Sequence, residues 1–159
     1  MNRRYGRSFY LDLISRLRSE LSDFQLTMDV MAGFPGETEE QFQYTLDMMD
    51  QTKPLHCHVF PYSRREGTRA ARYQDIAKDQ IRDRVNRLSQ FAREISEEVR
   101  LPYIGRTMEV LVENYTDLPH GLTGNYMKVL FEDDGAEPGQ LVQIRLSEIQ
   151  GEGFIGTKE

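Results

Sequence analysis

The chain has 159 residues, room for one ordinary domain or two small ones, of which 38% are hydrophobic and 29% charged. That balance excludes a disordered tail, and no apolar run approaches the ~20 residues of a membrane helix, nor does the arginine-rich start resemble a signal peptide. Residues 1–103 carry 16 basic and 16 acidic side chains and residues 104–159 carry 4 and 10, so the whole net charge of −6 falls in the C-terminal third.

A first helix is predicted from about Phe9 to Leu21, with Tyr10, Ile14, Leu17 and Leu21 as its apolar stripe and Ser8 as N-cap. Gln25 to Ala32 alternates, Leu26, Met28, Val30 and Ala32 against Thr27, Asp29 and Met31, and reads as a strand. Gly33-Phe34-Pro35-Gly36 is a turn. Thr38 and Gln41 then form a capping box, Glu39 and Glu40 suit the positive end of a helix, and Phe42, Leu46 and Met49 mark its buried side. Leu55 to Tyr62 alternates again, with His56, His58, Phe60 and Tyr62 on one face and Cys57, Val59 and Pro61 on the other. Strand, helix and strand at this spacing predict a right-handed unit with parallel strands. Two parallel strands do not cover themselves on both faces, so the unit reads as incomplete, with further strands expected upstream and an open edge suited to self-association.

A long helix is predicted from Lys78 to Leu101, because Ile81, Val85, Leu88, Ala92, Ile95 and Val99 recur at heptad spacing and Pro102 ends the pattern. Past Gly105, three strand-like segments (Met108–Val112, Leu122–Phe131, Leu141–Ile149) are separated by turns at Asp117–His120, Asp133–Gly139 and Gly151–Gly153. Short strands at this spacing predict a small closed antiparallel barrel. The predicted organisation is therefore residues 1–75, a linking helix over 76–103, and a barrel over 104–159.

One cysteine, Cys57, excludes a disulfide framework, fits a reducing cytoplasm, and excludes any cluster or zinc site that takes three thiolates from this chain. His56 and His58 share a strand face, but no carboxylate or third histidine is spaced to join them, so they read as polar lining rather than metal ligands. Asp29 stands equally as a substrate-orienting carboxylate or a hydrogen-bonded structural one. Two basic clusters, Arg3, Arg4 and Arg7, then Arg64, Arg65, Arg69 and Arg72 with Glu66, suit phosphate oxygens, against the plainer reading of a salt-bridged surface.

Four stretches taken together, MNRRY at 1–5, TMDVMAGFPGETEEQF at 27–42, HVFPYSRREGTRAA at 58–71 and GLTGNYMKV at 121–129, resemble the radical S-adenosylmethionine methylthiotransferases. Thr123, Asn125 and Tyr126 most resemble the branch that acts on threonylcarbamoyladenosine of tRNA. The resemblance implies an α/β fold, an incomplete radical S-adenosylmethionine (β/α) barrel segment followed by a small all-β TRAM barrel of the OB-like kind. It also implies a cytoplasmic enzyme that uses S-adenosylmethionine and two 4Fe–4S clusters to methylthiolate the modified adenosine beside the anticodon. The cysteines of both clusters are missing here, so this chain reads as a C-terminal fragment, inactive alone and lacking its N-terminal cluster-binding and barrel segments. Catalytic residues stay unassigned.

Carried onto this sequence, Gly33, Phe34, Pro35, Gly36 and Glu37 become the cofactor-side rim, where glycines let backbone approach a ligand and the next helix offers free N–H groups. Phe60 and Tyr62 would flank adenine or the target base. Arg64, Arg65 and Arg69 become phosphate contacts, and Asn125, Tyr126 and Lys128 become base contacts on the TRAM-like barrel, whose acidity disfavours phosphate. Two readings of different class stand: part of a tRNA methylthiotransferase, or a non-catalytic RNA-binding or structural module. Within the first, isopentenyladenosine in tRNA and a ribosomal protein are the alternative substrates.

Overall fold

A computed structural model describes residues 4–113, 118–132 and 135–159. The packing divides the chain into two units, Met1–Ser22 with Leu26–Ser96, and Asp23–Gln25 with Glu97–Glu159. Arg3, and parts of the expected turns at Asp117–His120 and Asp133–Gly139, lie outside the described residues.

In the first unit, helix α1 (Arg7–Glu20) starts two residues before its predicted position. The extended backbone of Gly6 is its N-cap and offers no side-chain bond, so Ser8 lies inside the first turn and is not the cap. Of the predicted stripe only Ile14 is buried; Tyr10 and Leu17 are half-buried and Leu21 is exposed. Strands β1 (Thr27–Ala32) and β2 (His56–Pro61) pair in parallel, from Thr27 opposite His56 to Ala32 opposite Pro61. Between them, α2 (Glu39–Thr52) begins at the predicted capping box: Thr38 Oγ1 accepts from the Gln41 N–H at 3.2 Å, and Gln41 Oε1 accepts from the Thr38 N–H at 3.1 Å. Its last carbonyls are met by Arg18, which donates to Thr52 O at 2.5 Å and Lys53 O at 3.0 Å, a cation on the negative end of the helix.

The long helix α3 (Lys78–Arg100) ends one residue early, where Leu101–Tyr103 tightens into a 3₁₀ turn containing Pro102. Val30, Ala32, Phe42, Met49, Leu55, Leu88, Ala92 and Ile95 are buried. Phe42 and Met49 come from the predicted face of α2, and Leu88, Ala92 and Ile95 from that of α3. The Ser96 hydroxyl donates to the Leu55 carbonyl and satisfies one group at the mouth of β2. On the other face of the two-stranded sheet, Thr27, Asp29, His56 and His58 are exposed.

The second unit is a closed five-stranded barrel of β3 (Thr107–Val112), β4 (His120–Thr123), β5 (Lys128–Glu132), β6 (Leu141–Gln150) and β7 (Gly153–Lys158), in the order β3-β4-β5-β7-β6. Three expectations change. The segment Leu122–Phe131 is two strands, because Gly124 and Asn125 break it while apolar residues on both sides keep its composition strand-like. A further strand, β7, follows the Gly151 turn. The barrel is also not wholly antiparallel, since β5 and β7 run parallel from Val129 opposite Phe154 to Glu132 opposite Thr157 and supply the closing seam.

Val110, Val112, Val129, Phe131, Val142, Ile144, Leu146 and Phe154 fill the interior at the period-2 positions of their strands. Gly156 makes room for this filling: a Cβ there would run into the Ile144 side chain and stand 2.8 Å from Arg145 O.

Candidate functional site

Three groups of candidate residues lie at element ends, two in the first unit and one in the second. The turn after β1 is the first. Gly33 has φ +78°, and a Cβ on it would stand 2.7 Å from the Ile81 side chain of α3, so glycine is required on both counts. The Gly33 N–H donates to Glu37 Oε2 at 3.0 Å. The same oxygen accepts from Arg84 Nη1 at 2.8 Å, and that nitrogen also donates to the Glu37 carbonyl at 2.9 Å.

Arg84 is 1% exposed, and its guanidinium lies 5.4 Å from the Phe42 ring centroid. Arg87 stacks closer on that ring, at 4.5 Å, and pairs with Glu39 at 2.9 Å. Glu37 is thus a brace between the turn and α3. Arg84 was missed in the sequence, yet a signal was there: it sits three residues after Ile81 and four before Leu88, a cation inside an apolar stripe that implies a buried partner.

Phe34 of the turn meets Tyr62 just past β2, edge to face with centroids 5.5 Å apart. Phe60 does not join them and packs instead against His58 at 5.7 Å. Pro35 is buried and Gly36 exposed. The Tyr62 hydroxyl is buried and has no hydrogen-bond partner among the described residues. That unmet hydroxyl, two aromatic rings and a glycine turn leading into α2 stand together past the ends of β1 and β2. Iron–sulfur clusters do not fit. No three His, Cys, Asp or Glu side chains converge among the described residues. Burial also pushes the Cys57 thiol up to about 12, opposite to what a thiolate ligand needs.

The second group follows β2. Arg64, Arg65, Arg69 and Arg72 are all exposed, but they are not equivalent. Arg64 is tied down: Nη1 donates to Ala71 O at 2.6 Å, and Nη2 donates to Tyr73 O at 3.2 Å and pairs with Asp75 at 2.8 Å.

The third group is the β4–β5 turn of the barrel. Buried Thr123 donates its hydroxyl to Asn125 Oδ1 at 2.6 Å and accepts from the Met127 N–H at 2.9 Å. Asn125 Nδ2 in turn donates to Asp23 O at 3.2 Å and lies 3.4 Å from the Tyr103 hydroxyl. Asp23 is held by both arms of Arg106, each at 2.9 Å. This polar clasp fixes a turn in which Tyr126 adopts φ +65° and stands 78% exposed. A tyrosine in the left-handed region is unusual, and an exposed one there presents its whole ring to solvent. Lys128 is exposed two residues on. Asp23, Tyr103 and Arg106 had no signal in the sequence.

The closed barrel and the parallel strand pair are common to many proteins, and the comparisons with known proteins are more specific. No family model matches the chain. Over most of its length the chain is homologous to the tRNA methylthiotransferases. It is 41% identical over 151 residues to a tRNA-2-methylthio-N(6)-dimethylallyladenosine synthase of Desulforamulus reducens, covering 92% of this chain and 33% of that protein. With the threonylcarbamoyladenosine tRNA methylthiotransferase MtaB of Bacillus subtilis it shares 34% over 153 residues, covering 92% and 34%. A probable threonylcarbamoyladenosine tRNA methylthiotransferase of Methanocaldococcus jannaschii is 35% identical over 156 residues, covering 98% and 35%. The chain therefore spans about a third of the length of these relatives. No helix among the described residues is long and apolar enough to cross a membrane.

Proposed function

We propose that the chain supplies the C-terminal part of an enzyme that methylthiolates an N6-modified adenosine of tRNA, with threonylcarbamoyladenosine beside the anticodon as the substrate. The observation that carries this is the homology along nearly the whole chain to proteins named for that chemistry. In this reading, the first unit is a segment of a radical S-adenosylmethionine barrel, and the cluster ligands lie in the part of the enzyme that matches the rest of the relatives. S-adenosylmethionine would supply the methyl group. Residues Gly33 to Gly36 would bring backbone against it, Phe34 and Tyr62 would flank its adenine, and the unmet Tyr62 hydroxyl would bond to it. Tyr126 would stack on a base of the tRNA, with Asn125 and Lys128 beside it.

A second substrate, dimethylallyladenosine, is favoured by one observation, the 41% identity to a synthase named for it. Nucleoside mass spectrometry decides between them. In a strain lacking the reading frame that encodes this chain, the methylthio form of threonylcarbamoyladenosine should vanish from tRNA while the unmethylthiolated nucleoside accumulates. Loss of the dimethylallyl product instead would select the second substrate, and no change in either would refute the enzyme reading.

A further inference from the structure

The four arginines after β2 look alike in sequence, but the structure separates them by what they touch. Arg64 uses its guanidinium as a clamp, reaching forward to the carbonyls of Ala71 and Tyr73 and to the carboxylate of Asp75. This closes residues 64–75 into one loop. Inside it, the Thr68 hydroxyl donates to Arg65 O at 2.8 Å and accepts from the Ala71 N–H at 3.3 Å. The chain then winds through a 3₁₀ turn at Ala70–Arg72, closed by Arg72 N–H to Arg69 O at 3.1 Å.

In such a turn residues three apart eclipse, so Arg69 and Arg72 project from one side, separated by about 6 Å of rise. The side chains of Arg65, Arg69 and Arg72 are exposed and make no hydrogen bond or ion pair among the described residues. Asp75 is taken up by Arg64, which leaves Glu66 as the one acid of the loop free to oppose three cations. Three like charges held on a pre-closed loop repel one another, and a run of phosphates relieves that repulsion.

We propose that residues 64–75 form a preorganised site for an RNA phosphodiester backbone, in which Arg65, Arg69 and Arg72 are the phosphate ligands and Arg64 is the positioning residue that holds the loop closed. This rests on the proposed tRNA-directed function for its ligand, and it removes Arg64 from the expected phosphate contacts while adding Arg72. Phosphates draw on the free forks, and Arg64 stays on its carbonyls. Because the loop is shaped before RNA arrives, little ordering entropy is spent on binding.

The test uses the full 159-residue chain with two probes, an unmodified tRNA transcript and a short single-stranded RNA, titrated over a range of salt. Replacing Arg65, Arg69 and Arg72 together by Ala should flatten the slope of log affinity against log salt by about 0.7 per contact, about two units in all. Arg64→Ala and Arg64→Lys should leave that slope near the unsubstituted value, weaken binding several-fold, and speed amide exchange over residues 71–74. The triple variant should leave that exchange unchanged. Arg64→Lys keeps the charge and loses the fork, so it separates clamp from charge even if Arg64→Ala misfolds.

An unchanged slope in the triple variant, or no binding of either probe by the unsubstituted chain, overturns the site. A slope lowered by Arg64→Lys or Arg64→Ala with no change in loop exchange overturns the clamp. Nucleoside analysis in cells reads the proposed function independently, so a working phosphate site with intact methylthio nucleosides would sink that function and leave the site standing.

Discussion

The two units close their sheets in opposite ways. In the first, two parallel strands bury Val30 and Ala32 on one face, while the other face leaves Thr27, Asp29, His56 and His58 in contact with solvent. Its order depends on helices and on polar braces such as Arg84 with Glu37 and Arg18 with the end of α2. In the second, five strands close on themselves, every strand has two neighbours, and the interior is filled with Val, Ile, Leu and Phe. A barrel abolishes its edges by construction. A parallel pair has to borrow cover, and its candidate cofactor turn sits at the end of that pair. The barrel instead uses its stability to hold Tyr126 in a backbone conformation that tyrosine rarely adopts.

The largest expected effect tests how firmly the parallel pair stays shut. Cys57 lies on β2, half-buried, with its thiol pushed up to about 12 by burial. An unperturbed thiol ionises near 8.5, and only thiolate reacts with iodoacetamide. At pH 8 the folded chain should therefore be alkylated about three orders of magnitude more slowly than the urea-unfolded chain. The factor sets an upper limit on the population in which β2 is open, at about 1.4 kcal/mol per tenfold. Equal rates would mean that the pair is not closed in solution.

Two glycines make the next comparison. Gly156→Ala should cost about 1–3 kcal/mol, because the new methyl enters a filled barrel against Ile144 and the carbonyl of Arg145. Gly36→Ala meets nothing within 4 Å, so its cost is that of a left-handed backbone alone, about 1–2 kcal/mol. Urea unfolding followed by amide exchange should place the first loss in β3–β7 and the second in the turn before α2. Equal, small losses at both positions would mean that the barrel interior yields more easily than its packing suggests.

These contrasts also mark where the sequence was readable. The β1–α2–β2 unit was legible because its signals are local: alternation in both strands, and a capping box that the structure reproduces bond for bond. The heptad of α3 was equally local. The parallel closure of β5 on β7 was not, since it is decided by how five strands meet and not by any strand's own pattern. Composition hid the β4–β5 turn for the same reason, because Leu122 and Met127 look like neighbours on one strand. Among candidate site residues, Phe34 and Tyr62 were named and do come together, whereas Phe60 does not. Charge alone made Arg64 look like Arg65 and Arg69; only the carbonyls it reaches distinguish it. Asp23 and Arg106 are 83 residues apart, and nothing in either neighbourhood announces the other.

That last pair gives the smallest and most specific effect, confined to the barrel unit. Both arms of Arg106, with help from the Tyr103 hydroxyl, hold the Asp23 carboxyl below the usual aspartate range. A carboxyl depressed in the folded chain contributes stability that is fully present above its unfolded value, about 3.9, and is lost as pH falls through the lower folded value. Asp23→Asn should therefore be less stable than the unsubstituted chain at pH 7. The gap should narrow as pH drops below about 4 and vanish once Asp23 is protonated in both states. Its size is limited, because the side chains are 39% and 43% exposed and water screens the pair, so below about 1 kcal/mol is expected. Salt at about 1 M should shrink the same gap at pH 7. Asn125 donates to the backbone carbonyl of Asp23, which the substitution keeps, so Tyr126 should remain presented and RNA binding at neutral pH should change little. A gap that persists undiminished at pH 2 would show that Asp23 does not act through its charge, since Asn tolerates the same left-handed backbone; a large loss of RNA affinity would show that the Arg106 pair, and not Asn125, is what holds the tyrosine turn in place.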